Sequence, residues 1–301
     1  MKTKNFLFDR DTLLHLRLPF SFFLLPIFCF AISQSEVISW MNAFIVFASL
    51  HFFIYPGSNV YNSYMDKDKG SIGGLRNPPP ATKKLYYSSM ILDIIGILLC
   101  LFISWQMAVL MTAYVAVSKA YSWDGIRLKK YGLTGWFIVM LFQGGYTYLM
   151  VNMAVTENFS LTWFTVKNQE CMVLASLLIG GFYPLTQIYQ HQEDSERGDL
   201  TISYRLGVRG TFVFSGILFL LASAIAFHYF REYYGTGHFV VFTVCLLPVI
   251  FYYLMWFMMT EKNPDKANFD HAMRITFISS ACMIICFCIL FWMNYQTVIY
   301  S

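Results

Sequence analysis

Residues 238–259 read HFVVFTVCLLPVIFYYLMWFMM and contain no Lys, Arg, Asp or Glu. A helix needs about 20 apolar residues to cross the hydrocarbon core of a bilayer, and this stretch supplies them. Inside lipid no water bonds to exposed backbone N–H and C=O groups, so a segment of this kind must satisfy them within itself as a helix. The stretch therefore predicts a transmembrane helix.

Further apolar blocks of similar length surround this stretch. In the full sequence 57% of the residues are hydrophobic and 13% are charged, whereas a soluble domain carries about 25% charged residues to keep its surface wet. These proportions exclude a water-soluble globule and predict an all-α, polytopic membrane bundle of about nine transmembrane helices. The other predicted spans lie near residues 18–34, 39–61, 86–104, 106–121, 134–155, 171–190, 211–230 and 274–297.

The lysines and arginines indicate which way the bundle faces. If the N-terminus lies in the cytoplasm, all but two of the 21 basic residues fall in or beside cytoplasmic segments, and the exceptions are Lys167 and Arg231. The N-terminal group contains Lys2 and Lys4. Such an asymmetry follows the positive-inside rule for a multi-pass protein, and we expect the bacterial inner membrane. The net charge of +4 therefore reflects topology and implies no nucleic-acid partner.

The chain also contains an internal repeat. Residues 55–70 read YPGSNVYNSYMDKDKG and residues 183–198 read YPLTQIYQHQEDSERG, and the two align without gaps. A repeat of this kind indicates two structurally related units. We predict a single domain over residues 1–301, made of two four-helix halves, near 18–121 and 134–259, and a ninth helix at 274–297. The identical residues are Tyr55 and Tyr183, Pro56 and Pro184, Tyr61 and Tyr189, Asp66 and Asp194, and Gly70 and Gly198.

Acidic and amide residues end both copies, on spans predicted to run toward the cytoplasm. Asn62 and Asp66 are four residues apart, as are Gln190 and Asp194, so each pair shares a helix face. Charged groups near membrane depth are costly and are kept where they pair or bind something. Carboxylate and amide oxygens suit Mg²⁺, which also keeps waters and substrate phosphates. The predicted magnesium ligands are Asn62, Asp66, Asp68, Gln190, Asp194 and Glu196.

Basic residues lie close to both acidic clusters. Magnesium together with arginine and lysine side chains is typical of a diphosphate site, whereas for Lys129 or Lys130 alone the positive-inside pattern is a sufficient explanation. The predicted diphosphate-binding residues are Asn62, Arg76, Lys119, Tyr121, Arg127 and Arg197. The predicted catalytic residues are Asp66, Asp194, Lys119 and Arg127.

Three stretches resemble the motifs of the UbiA-type intramembrane aromatic prenyltransferases. NSYMDKDKG at 62–70 is similar to the family's N-D-x-x-D-x-x-x-D motif, and QHQEDSERGDLTISYRLG at 190–207 to its second aspartate motif with the following R-L-G. YSWDGIRLK at 121–129 matches a family loop that begins with Tyr-Ser or Tyr-Thr and ends with Arg-Leu-Lys. Gly70 and Gln190 stand where the family has acids, and Asp68, Glu196 and Glu193 are candidates to supply the missing carboxylates.

The resemblance implies an enzyme of the bilayer with its active site near the cytoplasmic face. It would use Mg²⁺ to transfer an isoprenoid chain from a polyprenyl or other allylic diphosphate to an aromatic acceptor of the quinone-precursor type. Two other classes of protein stay open at this point. A transporter can also consist of repeated halves, although its polar residues are expected near the bilayer midplane. A lipid-binding or assembly protein with the same fold and no catalysis is the second alternative.

Overall fold

The structure, a computed structural model, describes residues 7–300, without the side chains of residues 296–300. Lys2 and Lys4, which contribute to the predicted orientation, lie outside the described residues. Within the described range the chain forms nine long helices, which confirms the predicted all-α bundle. They are α1 (Arg10–Ser33), α2 (Trp40–Asp66), α3 (Lys83–Cys100), α4 (Trp105–Ser122), α5 (Gly132–Thr156), α6 (Val166–Glu196), α7 (Ile202–Tyr233), α8 (Thr236–Lys262) and α9 (Phe269–Tyr300).

Seven of these helices, counted over the described residues, are long and apolar enough to cross a membrane by themselves. The other two are α3 and α4, which have 18 residues each. A helix of that length rises about 27 Å, slightly less than a hydrocarbon core of about 30 Å. Both also carry charge within the helix, Asp93 in α3 and Lys119 in α4. The predicted spans 86–104 and 106–121 therefore exist as helices but are the least apolar of the set.

Three helices depart from regular α-helical winding. Helix α2 contains a π-helical segment at Ser49–Ile54, and α5 contains another at Met140–Tyr146. In α6 the regular helix ends at Leu185, followed by a 3₁₀ turn at Ile188–Gln190 and a short helix at His191–Glu196. Such irregular turns are frequent at functional sites, and those in α2 and α6 precede Asp66 and Asp194.

Close helix packing in the interior depends on small residues. An ideal Cβ atom on Gly144 of α5 would lie 2.6 Å from the Cα atom of Ser176 in α6. One on Gly145 would lie 2.7 Å from the Oγ atom of Ser176, which accepts a hydrogen bond from the N–H of Gly145. Helices that associate in lipid favour such small residues because they allow the backbones to approach. The contact fixes α5 against α6, and both helices line the cavity described below.

The polar loops gather at one end of the bundle. Ion pairs join Arg76 to Asp270, and Lys84 to Asp9 at 2.6 Å, so the segments around α1, α2, α3 and α9 meet there. Lys167, one of the two exceptions in the charge pattern, pairs at 3.0 Å with Glu36, which lies between α1 and α2 at the opposite end. In the structure the basic loops thus meet at one end of the bundle, and Lys167 lies at the other end. The division into two four-helix halves stays a prediction.

Candidate active site

A cavity of about 290 Å³ opens between the helices at the basic end. Residues from both copies of the repeat line its polar part, and the rest of its wall is largely apolar and aromatic, including Tyr114, Phe142 and Phe182. The polar residues from the two copies include Asn62, Asp66, Asp68, Gln190 and Asp194. The structure therefore brings five of the six predicted magnesium ligands to one cavity.

The first copy places two carboxylates in the cavity because α2 ends abruptly. Asp66 is the last residue of the helix, and Lys67 adopts the left-handed conformation (φ 52°) while its N–H donates to the carbonyl oxygen of Ser63. On a continuing helix Asp68 would point about 200° away from Asp66. The turn at Lys67 instead returns the chain, so that Asp66 and Asp68 line the same cavity.

The second copy places its polar residues in the cavity with a different backbone conformation. Pro184 lies just before the end of the regular part of α6, and the chain then turns through Gln187 before helical winding resumes. Gln190 lies at the end of the 3₁₀ turn and Asp194 lies in the short helix after it. Both nevertheless line the cavity, although they do not share one regular helix as the spacing predicted.

Three cations surround the carboxylate of Asp66, which is only 6% exposed. The Nζ atom of Lys129 contacts its Oδ1 atom, with Arg127 Nη2 at 3.5 Å and Arg197 Nη1 at 3.9 Å. Asp194 differs, because its Oδ2 atom is buried and accepts no hydrogen bond from the described residues. A buried carboxylate oxygen without a donor is costly, so among these residues the cavity holds one carboxylate that lacks a partner.

These oxygens fit a magnesium ion by their chemistry, because Mg²⁺ prefers hard oxygen ligands and retains some of its waters. No group of three or more His, Cys, Asp or Glu side chains in the described residues is drawn together tightly enough to hold a metal unaided. The coordination of a cation here would thus be completed by the amide oxygens, water or a phosphate group. That donor set is characteristic of magnesium sites that also bind a phosphorylated substrate.

Two carboxylates beside the cavity differ in their proton affinity. Burial raises the pKa of Asp68 to about 6, and the nearby charge of Asp66 adds to this against the opposing effect of Arg197. Burial also acts to raise the pKa of Asp199, but the hydrogen bonds from Arg127 and the charge of Lys129 outweigh it and lower the pKa overall. Asp199 therefore favours its ionised form more strongly than Asp68 does.

Arg127 is fixed in place by acids. Its Nε and Nη2 atoms donate to the two carboxylate oxygens of Asp199 at 2.8 Å each, and its Nη1 atom donates to Asp124 at 2.8 Å. Asp199 is 1% exposed and also lies 3.5 Å from Lys129 Nζ. The paired planar fork of a guanidinium on a carboxylate orients the arginine toward Asp66.

Tyr121 lies in the cavity wall, as expected. Its hydroxyl group contacts the hydroxyl group of Tyr183, which accepts a hydrogen bond of 2.8 Å from Gln187 Nε2. A polar chain of two phenols and an amide thus connects α4 with the end of α6.

Five other predicted residues do not line the cavity. Lys119 is half-buried between helices, where its Nζ atom pairs with Asp93 at 2.6 Å and lies 4.2 Å from the centre of the Tyr61 ring. Arg76 is largely exposed and pairs with Asp270. Glu196 is exposed and accepts a hydrogen bond of 3.2 Å from Gln192. Arg127 and Arg197 instead contact carboxylates of the cavity: Arg127 lies 3.5 Å from Asp66, and Arg197 donates to Asp68.

The sequence reasoning missed three residues of the site. Lys129 was part of the Arg-Leu-Lys match and Asp199 directly follows Gly198, so both carried a signal that was not used. Arg17 carried none beyond its charge. It lines the cavity and donates to the carbonyl oxygens of Asn59 at 3.1 Å and Gly73 at 3.2 Å, which ties the loop after α2 to α1.

This combination defines an integral membrane protein with a polar, charge-lined mouth above an apolar cavity. A model of the UbiA prenyltransferase family matches residues 22–280. The chain belongs to this family and is an intramembrane prenyltransferase, as the three motifs indicated. No match is found among curated proteins.

Solved structures share the fold. A UbiA homolog from Archaeoglobus fulgidus bound to DMAPP and Mg²⁺ matches with a TM-score of 0.69 at 15% identity, over 93% of this chain and 99% of that chain. The same homolog bound to GPP and Mg²⁺ matches with a TM-score of 0.68 at 16% identity over the same shares. A digeranylgeranylglyceryl phosphate synthase has a TM-score of 0.60 at 19% identity, over 93% of this chain and 97% of that chain.

Proposed function

We propose that the protein transfers an isoprenoid chain from an allylic diphosphate to an aromatic acceptor of the quinone-precursor type, with Mg²⁺ as cofactor. One observation carries the proposal: carboxylates from both repeat copies converge with lysine and arginine at the mouth of an apolar, aromatic-walled cavity. The ligands of the Archaeoglobus fulgidus homolog, DMAPP or GPP with Mg²⁺, support the same chemical class here.

Asp66 and Asp194 are the principal metal ligands in this proposal, with Asp68 beside them and the amides of Asn62 and Gln190 in weaker roles. When bound, Mg²⁺ neutralises the diphosphate and makes it a better leaving group. Arg76 and Glu196 are left out of the site, because Arg76 pairs with Asp270 and Glu196 with Gln192. Lys119 acts through the position of α4, since its ion pair with Asp93 joins α4 to α3.

The cations of this chain bind and orient the diphosphate. Lys129 and Arg197 now contact Asp66 and Asp68, and these side chains can turn to phosphate oxygens once the carboxylates have a metal partner. Arg127 is held rigidly by Asp199, so it presents a fixed positive charge to the mouth. Fixed donors of this kind lower the cost of binding a charged group, because they are already oriented.

The apolar wall suits the isoprenoid and the reactive intermediate. The C–O bond to the diphosphate breaks, the diphosphate leaves with the electron pair, and the resulting allylic cation is attacked by a ring carbon of the acceptor, which then loses its proton. Aromatic faces such as those of Tyr114, Phe142 and Phe182 stabilise a nearby cation. Their apolar surface also keeps out water, which would otherwise capture the cation.

The mouth of the cavity lies on the cytoplasmic side in this proposal, with the N-terminus inside a bacterial inner membrane. Its support is the positive-inside rule together with the ion pairs that gather the basic loops at one end. Single cysteines placed near Asp68 and Glu196 should react only with reagents that reach the cytoplasm. Labelling of either from the outer side would contradict this orientation.

Product analysis tests the reaction itself. Purified protein in detergent, given MgCl₂, geranyl diphosphate and a panel of hydroxylated aromatic acids, should form prenylated rings detectable by mass spectrometry. EDTA and the Asp66→Ala variant should each remove the product. Transfer only to non-aromatic acceptors would overturn the aromatic part of the proposal, and the absence of any transfer would favour a non-catalytic member of the fold. The transporter alternative is set aside because the chain belongs to a family of transferases.

A further inference from the structure

Gly70 occupies the position where the family pattern has an acid, and in the structure the carboxylate of Glu193 lies against it. An ideal Cβ atom on Gly70 would lie 2.7 Å from the Oε2 atom of Glu193. The backbone of Gly70 is not in the left-handed region, so its conformation does not require glycine. Its repeat counterpart Gly198 is the opposite case, with a φ of 74° and open space around it. A side chain at position 70 would therefore displace the flexible carboxylate of Glu193.

Glu193 binds the loop that carries Asp68. Its Oε1 atom accepts hydrogen bonds from the backbone N–H groups of Lys69 at 2.8 Å and Gly70 at 3.4 Å. These are the two peptide groups that directly follow Asp68. At the matching position of the first copy stands Met65, so the acid is present in the second copy alone. The contact therefore connects an acid at the end of α6 with the loop after α2, and the first copy has a methionine at the equivalent position.

Neighbouring contacts act on the same loop. Arg197, one helical turn beyond Glu193, donates to Asp68 itself. Gln190 Nε2 donates to the carbonyl oxygen of Ser71 at 3.4 Å. Positions three and four residues apart lie on one helix face, so the end of α6 holds residues 68–71 at several points. Glu193 does not line the reaction cavity; it faces a groove on the outer side of the loop, beside Phe269.

We propose that Glu193 is a positioning residue: where the family pattern has an acid at position 70, this chain has a glycine, and a carboxylate from the second copy binds the backbone of the loop there. It holds the 68–71 loop against α6 so that Asp68 faces the cavity, and it does not bind the metal. The role of Asp68 as a magnesium ligand rests on the proposed function. The contact between Glu193 and the loop does not, and the two are tested separately.

Melting temperatures of the ligand-free protein in detergent test the contact through a double-mutant cycle. Glu193→Ala loses both hydrogen bonds, and Gly70→Asp pushes the Glu193 carboxylate away and adds a like charge. Each single variant should melt a few degrees below the native protein. In Gly70→Asp/Glu193→Ala the new acid has room, so the double variant should melt clearly higher than the sum of the single effects predicts. Additive effects would overturn the proposal.

A second measurement distinguishes positioning from stability alone. The rise in melting temperature with MgCl₂ in the presence of inorganic pyrophosphate reports metal binding without turnover. Glu193→Ala should need about five- to tenfold more MgCl₂ for half of this rise. Glu193→Gln, which keeps an acceptor oxygen, should stay near the native requirement. The control Glu261→Ala removes an exposed acid that pairs with Arg209 at the same end and should leave the requirement unchanged.

Each result has one meaning. A lower melting temperature for Glu193→Ala with an unchanged MgCl₂ requirement would show a structural contact and overturn the positioning role. A native protein without any response to MgCl₂ and pyrophosphate would overturn the magnesium site, including the role assigned here to Asp68. The last case is a double-mutant cycle that shows coupling and a melting temperature that rises with MgCl₂, but no prenyl transfer. This result would contradict the proposed reaction and leave the role of Glu193 standing.

Discussion

The two copies of the repeat share a sequence pattern and differ in backbone. In the first copy the helix runs unbroken from Tyr55 to Asp66 and stops at a left-handed residue. In the second copy the regular helix ends at Leu185, and Asp194 is carried by a separate short helix. Both aspartates still line one cavity. The repeat thus keeps an aspartate at the cavity in both copies, although the backbone that carries this aspartate differs between them.

The surroundings of the two aspartates differ as well. Asp66 lies within 4.0 Å of Lys129, Arg127 and Arg197. For Asp194 no ion pair of that length occurs among the described residues, and its Oδ2 atom is buried without a hydrogen bond. Asp66 therefore stabilises the folded protein as well as serving the site, whereas Asp194 serves the site alone. Four predictions test this difference.

The largest effect is expected for Asp66→Ala. It removes a metal ligand and leaves up to three cations without their shared partner, and breaking a buried ion pair costs roughly 3–5 kcal/mol. We expect prenyl transfer to fall at least about a hundredfold and the melting temperature to drop by several degrees. Activity assays at limiting MgCl₂ and thermal denaturation in detergent measure the two effects. Near-native transfer at limiting MgCl₂ would falsify the assignment.

Asp194→Ala should separate activity from stability. Transfer should again fall about a hundredfold, because one of the two principal ligands is lost. The melting temperature should stay the same or rise, since the variant removes a buried oxygen that has no donor. A loss of stability as large as that of Asp66→Ala would show that the two copies are equivalent after all.

Asp68→Asn and Glu196→Gln form a matched pair, because the two acids occupy the same point of the repeat. Asp68 lines the cavity and Glu196 is exposed outside it. Loss of the Asp68 charge should raise the MgCl₂ concentration for half-maximal transfer about tenfold, in line with a lost carboxylate ligand. Glu196→Gln should leave that concentration unchanged. Equal shifts in both variants would mean that the exposed acid also serves the site.

The smallest effects are expected for the amides. Asn62 Oδ1 already accepts a hydrogen bond of 2.6 Å from the hydroxyl group of Ser122, and a neutral amide contributes less than a carboxylate to holding a cation. Asn62→Ala and Gln190→Ala should each raise the MgCl₂ requirement only about two- to threefold. If Gln190→Ala matched Asp194→Ala in its loss of transfer, the amide would be a principal ligand and the ranking of the second copy would be reversed.

The sequence predicted the helices well, because span length and lack of charge are local properties of the chain. It also predicted Asn62 and Asp66 as cavity residues, since spacing on a regular helix fixes the face. The partner of Lys119 could not be predicted. Asp93 lies 26 positions away in another helix, and only the packing of α3 on α4 brings the two charges to 2.6 Å. The break of α6 after Leu185 was missed because apolar periodicity shows where a helix can exist and not where its winding changes.

The ion pair between Asp93 and Lys119 has a consequence for how the chain enters the membrane. Neither α3 nor α4 is among the helices long and apolar enough to span alone. A charged side chain at the centre of an inserting helix costs about 2.5–3.5 kcal/mol, and Asp93 lies in the middle of α3, whereas Lys119 lies in the last turn of α4. The two charges offset each other only when both helices lie side by side. We therefore expect α3 and α4 to leave the translocation machinery as one helical hairpin, with the pair formed during biogenesis before the later helices assemble around it.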